Sequence, residues 1–334
     1  MPLFILLFLL PAMAFAGKTL PATNFQVTHN FIEKMSNEHQ FDKDELRSIF
    51  AKITLVSAEK PNKTTPKKPK SKPLSWDKYR TLFITNTRID RGVKFWQENL
   101  PALQRAEKKF NVPQEIIVAI LGIETNYGNN KGTHPTLETL ARLAFGKHRR
   151  WKFYQKELIE FLLMSRENAL PPLSLKGSYA GAMGYAQFIS SSYRYYAIDF
   201  DFDKKIDLFN SPTDAIGSIA NYFDKHQWHD FGPYARPITL TNSQSMYAKS
   251  STNKPKNSAQ YWRNKGFKID NDINNKTKLA FIKLTQDDHF ETWLTFWNFY
   301  VLTRYNHDNR YALTAVLLSS RIKQQFNQPN STIL

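Results

Sequence analysis

The stretch Pro113 to Gly128, reading PQEIIVAILGIETNYG, constrains this chain more than any other. Pro113 stands near the first position of a helix, where a missing N–H costs nothing, and Gly128 supplies a stop. Between them Ile116, Ile117, Ile120 and Ile123 give the helix a strongly buried character, so the surrounding fold has to pack around it. Glu124 falls in its last turn. Ile117, Ile120 and Glu124 are spaced three and then four residues apart and share one face, so the carboxyl continues an apolar stripe. A carboxylate placed there loses hydration, and its pKa is expected to rise. Such a group suits giving a proton to a leaving oxygen near neutral pH and recovering one later. The plainer alternative is that Glu124 pairs with an arginine at a packing surface.

With 334 residues, 41% of them hydrophobic, the chain can bury one large core or two modest ones. Its first sixteen residues, MPLFILLFLLPAMAFA, carry no charge and end in a small-x-small pattern. They read as a secretory signal cut before Gly17, the apolar run being short for a bilayer span. The mature protein is therefore expected to be exported and soluble in the periplasm. It contains no cysteine, hence neither a disulfide framework nor a thiol for a lipid anchor. Residues 17–58 read as an N-terminal helical segment: a turn around Phe31, Ile32 and Met35, then an amphipathic helix from Asp42 to Ile53 with Leu46, Ile49, Phe50 and Ile53 on one face. Residues 59–75, with six lysines and four prolines, form a linker too poor in apolar surface to fold.

The formal charge of +17 points to polyanionic partners. Export and the lack of any nucleic-acid module argue against nucleic acid, leaving the carboxylate-bearing cell wall and a peripheral attraction to anionic envelope surfaces. From Trp76 onward the pattern is predominantly helical, with Gly92 to Phe110 reading as one helix that Asn111 ends. Within residues 231–289, Pro237–Leu240 and Ala280–Leu284 read as short strands of a small antiparallel insertion. The helical pattern resumes over Phe290 to Tyr300.

Val112 to Gly128 closely resembles the catalytic segment of the membrane-bound lytic transglycosylase B family. Leu175 to Phe188, reading LKGSYAGAMGYAQF, is similar to that family's second core motif, and Thr303 to His307, TRYNH, to a third. The resemblance implies a mainly α (α+β) fold: a lysozyme-like transglycosylase core over 76–230 and 290–325 with a small antiparallel β insertion. It also implies that Glu124 is the catalytic acid and base. Ser178 and Gln187 are then expected to hydrogen-bond the substrate, while Tyr222, Tyr305, Asn306 and Tyr311 line the cleft. Arg149 and Arg150 match a family pair that reaches peptide carboxylates, a task for which arginine's planar fork is suited. The glycines of the second motif read either as places where backbone approaches a ligand or as a tight helix junction.

An ordinary glycosidase uses two carboxyl groups, whereas the matched motifs supply one. The implied reaction is non-hydrolytic cleavage of the bond from N-acetylmuramic acid to N-acetylglucosamine in peptidoglycan, giving a 1,6-anhydro end without a redox or organic cofactor. A hydrolytic muramidase and a noncatalytic peptidoglycan-binding protein are the alternatives. Separately, Asp199, Asp201, Asp203 and Asp207 occupy positions one, three, five and nine of a twelve-residue loop, 199–210, patterned like an EF-hand. Lys204 stands at position six in place of Gly, and Asn210 at position twelve in place of a bidentate carboxylate. The loop reads as degenerate, binding calcium weakly or not at all, with a structural role for any metal held.

Overall fold

The computed structural model describes residues 19–56, 74–146, 148–229 and 232–328. The expected signal segment 1–16 and nearly all of the expected linker 59–75 lie outside the described residues. The described chain is mainly helical with small sheets, the α+β composition read from the sequence, and it forms two compact units. No helix among the described residues is long and apolar enough to cross a membrane.

The first unit is built from the described parts of Ser71–Asn129 and Pro212–Leu334. Its centre is the helix Gln114–Thr125, in which every residue from Ile116 to Thr125 is buried. The helices Asn86–Glu98, Leu100–Phe110, Pro212–Lys225 and Asn309–Asn327 all pack on it. Each fully buried isoleucine contributes roughly 1.5–3 kcal/mol, so this helix is a large fraction of what holds the unit together. It ends earlier than the sequence suggested. Asn126, with φ 50°, takes the left-handed capping position and returns its N–H to Gly122 O over 3.1 Å; Gly128 follows two residues later, accepted by Thr125 Oγ1 over 2.9 Å. Asparagine tolerates that conformation because its short polar side chain bonds locally.

Two other expectations change. Gly92 to Phe110 is two helices, broken at Asn99, whose side-chain amide donates to Phe95 O over 2.9 Å, and Pro101 sits in the first turn of the second. A proline there lacks the N–H and clashes with the preceding turn, which disfavours one continuous helix, and the chain breaks at Asn99. Phe290–Thr295 is a strand rather than the start of a helix, and the helix Trp297–Tyr305 begins after Phe296. The strand pairs antiparallel with Lys278–Thr285, Phe290 opposite Thr285 and Thr295 opposite Ala280, and its other edge takes the short strand Ala235–Pro237. The expected strand at Pro237–Leu240 is thus shifted: pairing stops near Ile238, and Ile238 and Leu240 pack on a cluster built on Trp262, Phe267, Phe281 and Phe296.

The second unit is built from the described parts of Leu7–Lys70 and Asn130–Ser211. The strands Thr19–Pro21 and Thr54–Val56 pair and close the N-terminal segment, which holds the helices Gln26–His39 and Lys43–Ala51. Asp42 caps the latter by accepting Glu45 N over 2.7 Å. Phe31 and Phe50 meet Phe145 of the helix Thr136–Phe145, so 19–56 shares a core with 130–211. The compact units therefore divide the chain differently from the segment boundaries read in the sequence. Buried Glu157, on the helix Trp151–Glu167, accepts Ser191 N and Ser191 Oγ over 3.0 and 2.8 Å and fixes the start of the helix Ser190–Tyr196. Arg194 ties that helix back to Glu160 and Glu167.

Candidate functional site

Glu124 projects from the last turn of the central helix and is 6% exposed. Among the described residues no arginine pairs with it. Its partner is Tyr311, on the helix Asn309–Asn327, which donates its hydroxyl to Glu124 Oε1 over 2.6 Å. Burial pushes the Glu124 carboxyl up from its ordinary value to about 7, and the Tyr311 hydrogen bond, which favours the charged form, only partly opposes this. The Tyr311 phenol is itself pushed well above its usual range, by burial first and by the Glu124 charge second, so it remains the donor throughout the neutral range. The packing alternative raised by the sequence, an arginine partner, is thereby replaced by a neutral one.

Three further expected residues gather in the same unit. Tyr305 lies parallel to Tyr311, centroids 6.4 Å apart, and Tyr222 meets Tyr305 edge-on at 5.0 Å. Tyr222 is fixed by donating to Arg304 O over 2.7 Å. Asn306 keeps its amide oxygen buried without a partner. A buried acceptor left open is costly unless a ligand supplies the donor.

Sequence reasoning missed Tyr79, Asp308, His226 and His307. Tyr79 belongs to the helix Trp76–Thr81, and its phenol is raised by burial, then by Asp308, with Glu124 also contributing. Asp308 is held by Arg310, whose guanidinium lies 4.6 Å over the Tyr79 ring, so this second acid is neutralised. The His226 ring stacks on Tyr222 at 4.1 Å, and burial together with Arg304 lowers the pKa of both His226 and His307. His307 closes the third motif without having been singled out there; no local pattern marks Tyr79, Asp308 or His226, which only the pairing of distant helices brings in.

The remaining expected residues belong to the second unit. Ser178 is buried, and its Oγ accepts Ala182 N over 3.0 Å, closing a turn. Gln187 donates Nε2 to Lys131 O and Gly184 O over 3.1 and 2.9 Å, and its Oε1 is buried with no partner. It presents an acceptor, in a left-handed conformation with φ 48°. The glycines of this segment make room for the chain itself: a Cβ at Gly177 would meet Ala182 O at 2.3 Å, and one at Gly184 would meet Leu208 O at 2.3 Å. This is the tight-junction reading of the motif. Arg149 is exposed, and Arg150 rests its guanidinium 4.1 Å over Phe153.

In the loop 199–210, Asp199, Asp201 and Asp203 bring ligand atoms within 4.8 Å of one another. Asp207 stands outside that group and accepts Phe209 N and Asn210 N over 2.8 and 2.9 Å. Asn210 donates its amide to Asp207 over 2.9 Å, so position twelve supplies no bidentate carboxylate. Lys204 takes φ 72°, the left-handed turn that glycine would make without strain, and donates its N–H to Asp199. The donor set fits a hard oxygen-seeking cation, without the bidentate carboxylate that closes the usual loop.

The family described as Transglycosylase SLT domain matches residues 24–320. The chain belongs to that family. It is 38% identical over 300 residues to membrane-bound lytic murein transglycosylase B of Escherichia coli K12, covering 87% of this chain and 81% of the relative. The soluble lytic transglycosylase SltB1 of Pseudomonas aeruginosa is 35% identical, with a TM-score of 0.81 over 90% of this chain and all of its own. Escherichia coli Slt35, solved in complex with calcium, is 34% identical, with a TM-score of 0.79 over 91% of this chain and 95% of its own. The transglycosylase fold of this chain is accordingly the lysozyme-like one.

Proposed function

We propose that this chain is a lytic murein transglycosylase that cleaves the N-acetylmuramic acid to N-acetylglucosamine bond of peptidoglycan with Glu124 as its one acid and base. The observation that carries the reading is the Glu124 carboxyl, buried, raised to about 7 and bonded to a neutral phenol. At neutral pH it is present in both protonation states, as a group that must first give and then take a proton requires. Glu124 donates its proton to the glycosidic oxygen as the bond to the muramoyl anomeric carbon breaks, and the substrate's N-acetyl group supports the positive centre. The carboxylate, held by Tyr311, then removes the proton of the muramoyl 6-hydroxyl, whose oxygen closes on the anomeric carbon. Glu124 ends protonated, no water is consumed, and the product is a 1,6-anhydro end.

Tyr222, Tyr305 and Tyr311 form an aromatic wall beside Glu124 that suits a cleft for sugar rings, and the open acceptors of Asn306 and Gln187 suit sugar hydroxyl or amide donors. Ser178 keeps its hydroxyl proton for the substrate, and Arg149 and Arg150 suit stem-peptide carboxylates. We also propose export to the periplasm, a reading supported by the charge-free, apolar residues 1–16. The test is product mass. Peptidoglycan digested by the purified protein is expected to release muropeptides one water lighter than hydrolysed ends; reducing ends of full mass would overturn the mechanism in favour of hydrolysis.

For the loop 199–210 we propose weak structural calcium binding, with Asp199, Asp201 and Asp203 holding the cation. Calcium there would brace the loop and take no part in the reaction. Half-saturation is expected at about 1 mM or weaker, the range of low-affinity loops. At tenfold excess over that constant, mass action corresponds to about 1.4 kcal/mol and a rise in melting temperature of about 3 °C. An unchanged melting temperature at 10 mM calcium (about tenfold over the expected constant) removes calcium from the reading.

A further inference from the structure

The chain leaves the Glu124 helix through three successive left-handed residues, Asn126, Tyr127 and Gly128, with φ 50°, 60° and 87°. For Asn and Gly this is ordinary, but for tyrosine it is strained, and strain of this kind persists only where the surroundings dictate it. The surroundings here are specific. Tyr127 N returns to Leu121 O over 3.1 Å, folding the side chain back along the helix it has just left. The ring is 8% exposed and packs at 5.6 Å on Phe95 of the neighbouring helix Asn86–Glu98. Its hydroxyl donates to Arg88 O, in the first turn of that neighbour, over 2.9 Å.

The hydroxyl occupies a slot made by two glycines. A Cβ at Gly122, on the Glu124 helix, would come within 2.5 Å of the Tyr127 oxygen, and a Cβ at Gly92, on the neighbour, would also come within 2.5 Å of it. Both helices thus omit a side chain where this one hydroxyl crosses between them. Gly122 is two residues before Glu124, and glycine inside a helix costs stability relative to alanine, so the slot has a cost that the hydroxyl's position offsets.

We propose that Tyr127 is a positioning residue for the cleavage reaction: lodged between Gly92 and Gly122 and bonded to Arg88 O, it fixes the last turn of the catalytic helix so that the Glu124 carboxyl meets the Tyr311 hydroxyl. The proposal rests on the reading of Glu124 as acid and base given above. Tyr127 touches no substrate in this account. It acts by holding the helix end in register with the helix Asn309–Asn327, where an error of 1 Å at the carboxyl is expensive.

The experiment uses the full chain with Tyr127→Phe, Gly92→Ala and the double variant, measuring kcat, KM and the pH profile on peptidoglycan alongside melting temperature. Tyr127→Phe is expected to lower kcat about tenfold with KM within twofold, as loss of geometry at the acid predicts. The alkaline limb of its profile is expected to move to higher pH, because a loosened Tyr311 bond favours the charged carboxyl less. Gly92→Ala displaces the same hydroxyl from the opposite helix and should reproduce both effects. In the double variant the alanine no longer meets the hydroxyl but still meets Ile322 Cδ1 at 2.8 Å, so part of its stability cost remains, while its effects on kcat and on the alkaline limb do not add to those of Tyr127→Phe, the non-additivity expected of one shared contact. If Tyr127→Phe is unstable, Gly92→Ala carries the same test. Folded variants with wild-type kcat and an unmoved alkaline limb overturn the proposal. A wild type that releases no anhydro product overturns the functional reading instead, so the two failures are distinct.

Discussion

Glu124→Gln is expected to abolish release of anhydromuropeptides, lowering kcat by at least about a thousandfold, while binding of peptidoglycan is retained. The amide has no proton to give the glycosidic oxygen and cannot take one from the 6-hydroxyl, so both halves of the reaction lose their catalyst, and general acid–base catalysis alone accounts for roughly 10²–10⁴ in rate. Binding survives because the amide oxygen still accepts from Tyr311, and Tyr222, Tyr305 and Asn306 are untouched. The same variant should be more stable than the wild type above pH 7. The folded pKa of Glu124, about 7, lies above its unfolded value of 4.5. Between those values the unfolded chain binds fewer protons than the folded one, so stability falls as pH rises from 4.5 to 7 and stays lowered beyond it. At about 1.4 kcal/mol per pH unit, the penalty released by the neutral amide approaches roughly 3 kcal/mol, reduced by whatever the amide N–H₂ loses for want of a partner. The check is turnover, pull-down on insoluble peptidoglycan, and urea unfolding at pH 5 and pH 8. An active variant, or one whose stability does not gain on the wild type between these pH values, contradicts the assignment.

The sequence made the acid legible for a local reason. A carboxylate continuing the Ile117 and Ile120 stripe is a violation of the helix's own pattern, and violations of pattern concentrate at sites of chemistry. The resemblance named Tyr311 as a residue lining the cleft, but not as the partner of that acid. Tyr311 is one tyrosine among fifteen, on a helix whose apolar residues explain its placement equally well. Tyr79, His226 and Asp308 left no trace at all, since each is significant only through helices far apart in the chain. The fold showed the same division. The helices Gln114–Thr125 and Lys43–Ala51 follow from periodicity and caps, and the strand Lys278–Thr285 from a short apolar run beside a polar stretch. The break at Phe296 was missed because an aromatic-rich segment satisfies either period until a partner strand decides, and the break at Asn99 because the apolar spacing runs on across it although Pro101 opens a new helix. Phe290–Thr295 is extended because Lys278–Thr285 lies beside it. The glycines of the second motif mark a third case: the residue type was right and the physical reason was backbone packing.

Replacing Tyr311 by phenylalanine separates positioning from proton chemistry at the acid itself. The ring, 2% exposed and parallel to Tyr305, keeps its packing in Tyr311→Phe, so what is removed is the 2.6 Å hydrogen bond to Glu124 Oε1. That bond favours the carboxylate, the species that forms as the glycosidic bond breaks, and a hydrogen bond to a charged group contributes about 1.5–3 kcal/mol. kcat is accordingly expected to fall about ten- to hundredfold with KM little changed, a loss felt in the transition state and not in substrate binding. The pH profile should move in the direction the electrostatics dictate. With burial unopposed, the Glu124 pKa rises above its present value of about 7 by about one to two units, so the alkaline limb, where the acid is lost by deprotonation, shifts upward. Activity of the variant relative to wild type would then recover in part as pH is raised from 7 to 9. A limb that stays in place, or moves down, would mean that the phenol does not stabilise the carboxylate during turnover and that some other group holds the acid.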